Sequence, residues 1–296
     1  MANETRGARC ESTTGATLST DGCVVCDGPQ ASCEAANDAC GWALEFRDVS
    51  FSYSRGEFMR RLNLKVPAGG VVGIVGPNGC GKSTLLKLAC ALERPARGDV
   101  FVAGSNVAGL RARERAAKVA YLPQDLFASS MDVRELVSCG RYARVGRCCG
   151  FSREDEAAVN EALSRCGLGF LEGSPVAMLS GGQRQRAYLA MVLAQQAQLM
   201  LLDEPTSALD VGAAHRVMAC VRSVATSAGS TAVAVIHDLD LALCHCDWLV
   251  VMDNARVVFQ GSPEQVAASR ELAEAFGIRV SRHSDGLGAS YTFRPV

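Results

Sequence analysis

Apolar residues along this chain come in dense short runs separated by turn residues. Val71-Val72-Gly73-Ile74-Val75, Leu199-Met200-Leu201-Leu202 and Ala232-Val233-Ala234-Val235-Ile236 are nearly continuous, the pattern of strands buried on both faces. Residues 43–53 and 61–66 read as a strand pair with Pro67-Ala68-Gly69-Gly70 as a turn, and 248–252 and 256–259 read as further strands. Helical spacing occupies 211–228, short segments near 263–276, and much of 124–179, including Val133–Val137 and Glu154–Cys166. Nothing after Gly277 declares an element. The order gives an α/β chain with a β-rich edge near its start and a mainly helical stretch inserted in its middle.

Three segments carry candidate chemistry. Gly76-Pro77-Asn78-Gly79-Cys80-Gly81-Lys82-Ser83-Thr84 fits G-x-x-x-x-G-K-[ST], follows the strand 71–75, and leads into the helical run Leu85-Leu86-Lys87-Leu88. Its glycines let successive backbone N–H groups converge on phosphate oxygens, and the helix N-terminus favours negative charge. Lys82 then reaches the β- and γ-phosphates and Ser83 ligates Mg²⁺, so a nucleoside triphosphate is the expected ligand. The strand 199–202 ends in Asp203-Glu204, closed by Pro205. Adjacent strand residues point to opposite sides, so Asp203 can hold Mg²⁺ through its water shell while Glu204 polarises an attacking water. Leu179-Ser180-Gly181-Gly182-Gln183 is a glycine-rich turn feeding a helix from Arg184, again suited to an anion.

From about residue 42 to 280, these motifs in this order resemble the nucleotide-binding subunits of ATP-binding cassette (ABC) proteins. The pentapeptide 179–183 is that family's signature and far more specific than the P-loop. The resemblance implies a P-loop NTPase (RecA-like) core with an antiparallel β edge and an inserted helical subdomain at about 125–180. ATP and Mg²⁺ are the implied substrate and cofactor. It also implies that Tyr53 stacks on adenine, although a half-buried aromatic in an antiparallel strand is the competing reading. Gln124 senses Mg²⁺ and the γ-phosphate, Asp210 lies in the loop that crosses a dimer interface, and His237 is the switch histidine that positions the water, unless it merely ends a buried strand. Two copies are expected to pack head to tail, with Ser180, Gly181, Gly182 and Gln183 of one closing over the ATP of the other.

Composition limits the alternatives. With 48% hydrophobic and 21% charged residues and a net charge of −1, the chain shows neither the signature of disorder nor a basic surface for nucleic acid. No run approaches the 18 apolar residues of a membrane span, and the polar N-terminus lacks a signal-peptide core. Any membrane role is therefore expected to be peripheral, and the resemblance implies the cytoplasmic face of the cell membrane. Fourteen cysteines without an export signal read as thiols rather than a disulfide framework. Cys10, Cys23, Cys26, Cys33 and Cys40 sit in a polar N-terminal segment, 1–41. Cys23 and Cys26 have half a zinc-site spacing, but Cys33 and Cys40 lie too far apart to complete it, so a disordered tail is favoured over a metal knuckle. Residues 281–296 are taken as a C-terminal tail. Cys80 stands where the family usually has serine or alanine, and positive surroundings are expected to lower its pKa and make it a site where oxidation blocks ATP.

Finer residues suggest a branch. Lys118–Gln124, Val133–Val137 and Gly140-Arg141-Tyr142 resemble importer subunits for iron-siderophores, haem and cobalamin, iron-siderophore import being the commonest. The implied partners are permease subunits docking through coupling helices, a second copy of the chain and, indirectly, an external substrate-binding protein. ABC proteins of DNA repair and chromosome maintenance insert a long coiled coil or zinc-bearing segment between P-loop and signature, and translation factors carry two cassettes. This chain has one cassette and no sustained heptads between Ser83 and Ser180. A module that had lost hydrolysis would show a degraded Lys82, Gln124, Asp203, Glu204 or His237, and all five are intact.

Overall fold

The computed structural model describes residues 41–53, 56–145, 150–285 and 288–296. Its strands are β1 (Trp42–Ser52), β2 (Glu57–Pro67), β3 (Gly70–Val75), β4 (Arg97–Val102), β5 (Ser105–Asn106), β6 (Val119–Leu122), β7 (Leu199–Asp203), β8 (Thr231–Val235), β9 (Trp248–Asp253), β10 (Arg256–Gly261), β11 (Ile278–Asp285) and β12 (Gly288–Pro295). The helices are α1 (Lys82–Ala89), α2 (Ala112–Lys118), α3 (Val133–Cys139), α4 (Arg153–Arg165), α5 (Gly181–Gln195), α6 (Val211–Ala228), α7 (Leu239–His245), α8 (Pro263–Ala267) and α9 (Arg270–Phe276).

The continuous apolar runs become the middle of a six-stranded sheet of order β10-β9-β3-β8-β7-β6, in which only β10 is antiparallel to its neighbour. Such strands need apolar side chains on both faces, and the alternation divides them between two cores. Val72, Ile74, Leu201, Val233, Val235 and Val250 face one core with α1 and the antiparallel sheet β2-β1-β4-β5. Val71, Val75, Leu202, Ala232, Ala234 and Val251 face the other, which helices α3 to α9 cover. The expected strand pair 43–53 and 61–66 is present as β1 and β2. The sequence reading missed β4, which joins β1 with only Val100 and Val102 buried.

Between β6 and β7 the chain is helical, as expected, with α3, α4 and α5 packed together. Arg141, only 2% exposed, anchors them: its Nε donates to Asp155 Oδ1 at 2.8 Å, and its Nη1 donates to the Ala194 carbonyl at 2.9 Å and to Gln196 Oε1 at 2.8 Å. Asp155 also accepts from Ser152 in the capping box of α4. Those bonds first, and the Arg141 guanidinium after them, hold its carboxyl well below the usual carboxylate range.

The end of the chain departs from expectation. Of the residues assigned to a tail, 281–285 and 288–295 are paired in the antiparallel strands β11 and β12. Val280, Tyr291 and Phe293 pack against the second core, while Arg279, Ser281, Thr292 and Arg294 face out. So few inward apolar positions among polar ones give a weak strand signal, and it is docking against α7, α8 and α9 that fixes the hairpin. The cysteine-rich segment expected to be disordered lies outside the described residues, apart from Gly41.

Candidate functional site

The loop between β3 and α1 adopts the backbone its glycines permit. Gly79 (φ +77°) and Gly81 (φ +104°) occupy the left-handed region, where any other residue is strained. At Gly76 a Cβ would lie 2.1 Å from the Met252 carbonyl oxygen, so the loop can run this close to β9 only with glycine there. Lys82, 6% exposed, donates from Nζ to the carbonyls of Gly76 at 2.8 Å and Pro77 at 2.9 Å. Asn78, Gly79, Gly81, Lys82, Ser83, Thr84, Gln124, Glu204, His237 and Phe58 line one open cleft of about 730 Å³.

Ser83, in the first turn of α1, donates from Oγ to Asp203 Oδ1 at 2.9 Å, and the Tyr121 hydroxyl donates to Asp203 Oδ2 at 3.4 Å. Burial raises the Asp203 pKa, the Ser83 bond opposes this, and neighbouring Glu204 raises it further. Ser83 Oγ and Asp203 Oδ1 form an oxygen-donor pair, with Gln124 lining the same cleft as Ser83, and such donors suit a hard divalent cation such as Mg²⁺. A cation here would also offset the cost of burying the Asp203 charge.

Glu204 has φ +52°, unusual for a residue with a side chain. Its carbonyl is held by Gln185 Nε2 at 3.2 Å, Ser207 N at 3.3 Å and Ser207 Oγ at 3.2 Å. The bent backbone turns its carboxylate to His237, whose Nε2 lies 2.6 Å from Oε1. Two carboxylates adjacent in sequence therefore take different partners: Asp203 faces Ser83, and Glu204 faces His237.

Tyr53, 46% exposed, stands edge-on to Phe51 with centroids 4.7 Å apart, and its hydroxyl lies 2.9 Å from Thr84 Oγ1. An aromatic face is thus held in solvent beside the P-loop helix.

The signature turn is not brought to this cleft. Ser180 caps α5, accepting from Gln183 N at 3.4 Å while Gln183 Oε1 accepts from Ser180 N at 3.0 Å. A Cβ on Gly182 would meet Leu209 Cδ2 at 3.0 Å, so glycine lets this turn lie against the loop before α6. Ser180, Gly181, Gly182 and Gln183 line a second hollow with Leu209 and Asp210, and no residue lines both hollows.

Residues 59–207 match the ABC transporter family. Over 237 residues the chain is 35% identical to the ferric enterobactin transport ATP-binding protein FepC of Escherichia coli, covering 80% of this chain and 88% of that protein. This chain belongs to the ABC transporter family. It is also 41% identical over 230 residues to the cobalamin import ATP-binding protein BtuD of Halobacterium salinarum, covering 77% of this cassette but only 57% of that relative's length. A solved dimeric ATP-binding cassette in a post-hydrolysis state, bound to ADP and Pi, matches with a TM-score of 0.67 at 25% identity, over 74% of this cassette and 98% of that chain.

The structure corrects the expectation for the thiol in this cassette's P-loop. Cys80 is 4% exposed, and burial pushes its pKa up, with the Lys82 ammonium 3.9 Å away only partly opposing the rise. A buried, protonated thiol is a poor target for oxidants. The sequence reading also overlooked Tyr121, Gln185 and Phe58. Tyr121 precedes Pro123-Gln124 and could have been suspected, whereas Gln185 and Phe58 acquire their positions only through packing.

Proposed function

We propose that this chain is the ATP-hydrolysing subunit of an ABC importer for iron(III)-siderophores, acting as a head-to-tail homodimer against permease subunits at the cytoplasmic face of the membrane. The observation that carries the reading is the division of labour on one chain. The Ser83–Asp203 and Glu204–His237 pairs converge on the P-loop cleft, while Ser180–Gln183 open on a separate hollow. Each half then finds its complement on a second copy. No helix among the described residues is long and apolar enough to cross a membrane.

The P-loop N–H groups between Asn78 and Gly81, that of Cys80 included, cradle the phosphates, Gly76 and Pro77 shape the loop, Pro77 having no N–H to donate, and Tyr53 stacks on the base. Lys82 exchanges the Gly76 and Pro77 carbonyls for β- and γ-phosphate oxygens. Ser83, Asp203 and Gln124 would hold Mg²⁺, which when bound would supply positive charge against the phosphates. Glu204 polarises the attacking water, and His237 holds the Glu204 carboxylate on one side and the γ-phosphate on the other. Ser180 Oγ and the N-terminal amides of α5 supply donors to the partner's nucleotide, and Asp210 lies at the same seam. Loss of those charge-assisted contacts on phosphate release reopens the dimer and moves the permease.

Support for iron cargo comes from the branch residues and from the near full-length relationship to a ferric enterobactin transport protein. The test is ATPase activity of the chain co-purified with its permease in membranes, with ferric siderophore, haem or cobalamin delivered by the matching binding protein. Stimulation by ferric siderophore is expected. Stimulation only by cobalamin or haem reassigns the cargo, and activity with no permease association overturns the importer reading.

A further inference from the structure

Two thiols meet at the edge of the signature hollow. Cys166 caps the C-terminus of α4 and is 6% exposed, while Cys220, on α6, is half-buried; both line the hollow that holds Ser180–Gln183. The Cys220 thiol donates to the carbonyl of Arg165, the residue preceding Cys166, at 3.7 Å, which sets the two thiols beside each other on the wall of the hollow. Neither belongs to the P-loop cleft, and no step of the proposed hydrolysis uses either.

The neighbourhood of the pair is coupled to the signature helix. The Cys166 carbonyl accepts from Arg186 Nη1, on α5, at 3.2 Å. Gly181 and Gly182 rest on Ala208 and Leu209, immediately ahead of α6. A covalent link between the end of α4 and the middle of α6 therefore changes the position of the Arg186 anchor relative to the turn it supports.

We propose that Cys166 and Cys220 are a peroxide-reactive dithiol that closes to a disulfide and thereby slows ATP hydrolysis. The roles differ. Cys220 is the more accessible of the two, and the neighbouring Cys166 thiol, with help from Arg165, draws its pKa below the ordinary value against the effect of burial, whereas Cys166 is nearly enclosed and is held above that value by Cys220 and by burial. Cys220 is thus the thiolate that attacks, and Cys166 keeps the proton. The Cys220 sulfur attacks one peroxide oxygen, the O–O bond breaks, and a sulfenic acid forms with release of water. The Cys166 sulfur then attacks the sulfenic sulfur and displaces a second water. Two thiols are oxidised by two electrons and one hydrogen peroxide is reduced to two waters. Formation of the link stands independently of the cargo; its effect on hydrolysis rests on the reading that the signature hollow receives the partner's nucleotide.

The test treats the reduced full-length protein with a few equivalents of hydrogen peroxide and maps the peptides by mass spectrometry, with ATPase activity and ATP affinity measured on the same samples. The expected result is a Cys166–Cys220 cross-link, a several-fold loss of turnover restored by dithiothreitol, and unchanged ATP affinity. Cys220→Ser, at a partly accessible position that tolerates a hydroxyl, should fold and show a turnover that peroxide no longer lowers; Cys166→Ala is the second variant with the same expectation. Absence of the cross-link, with oxidation falling on other cysteines, overturns the dithiol. A cross-link that leaves turnover untouched overturns the switch while leaving the importer reading intact, because the two are read by different measurements.

Discussion

Replacing Gly81 by alanine tests whether the P-loop backbone, rather than its side chains, sets ATP affinity. Gly81 has φ +104°, and an added Cβ would lie 2.8 Å from Met59 Cε and 3.2 Å from Phe58 Cε1. Met59 Cε is the tip of a flexible side chain and can yield, so the dominant cost is the backbone, about 1–3 kcal/mol for a non-glycine residue in this region. Without nucleotide the mutant loop can relax to another conformation, and binding must restore the strained one. Affinity for ATP should therefore fall by about 5- to 150-fold. Titration calorimetry with ATP on the full chain, in the absence of turnover, measures this directly. Gly104→Ala serves as the control: its φ of +72° carries comparable strain, but nothing lies within 4 Å of the added Cβ and the position is in the turn between β4 and β5. It should lower thermal stability and leave ATP affinity unchanged. Wild-type affinity in Gly81→Ala, or equal weakening in both variants, would refute the reasoning.

Further outcomes are expected at other points. Glu204→Gln should retain ATP binding, accumulate a nucleotide-bound dimer in size-exclusion chromatography, and hydrolyse about 10²- to 10⁴-fold more slowly; near wild-type turnover removes Glu204 as the group that activates water. Ser180→Ala deletes the acceptor for Gln183 N and should cost about 1 kcal/mol of stability in urea unfolding, with ATP affinity of the isolated subunit unchanged because its own P-loop does not use the signature. His245 lies 2.9 Å from His215, and burial, followed by His215 and Arg222, lowers its pKa while Asp240 opposes. A depressed imidazole binds fewer protons folded than unfolded, so stability should fall as pH drops below about 6.5. His245→Gln should flatten that part of the stability curve in thermal melts from pH 7.5 to 5.

Local sequence determined the parts of this protein whose physics is local. Gly79 and Gly81 of the P-loop, the apolar runs of β3, β7 and β8, and the Ser180–Gln183 capping box each act within a few residues, so their residue types and spacing specify both backbone and chemistry. The pair Asp203-Glu204 at the end of an apolar run likewise marked both carboxylates as chemistry, though not where Glu204 points. Tertiary structure alone decided what those groups touch. Ser83 and Asp203 are 120 residues apart and meet because β3 and β7 flank β8 in one parallel sheet. The left-handed turn at Glu204 depends on Gln185 and Ser207 holding its carbonyl, which no propensity predicts. Thiol behaviour was least legible: the same residue type is a buried, protonated thiol at Cys80 and a paired one of lowered pKa at Cys220. Ionisation depends on solvent exclusion and on neighbouring charges and hydrogen bonds, and long-range packing fixes all of these.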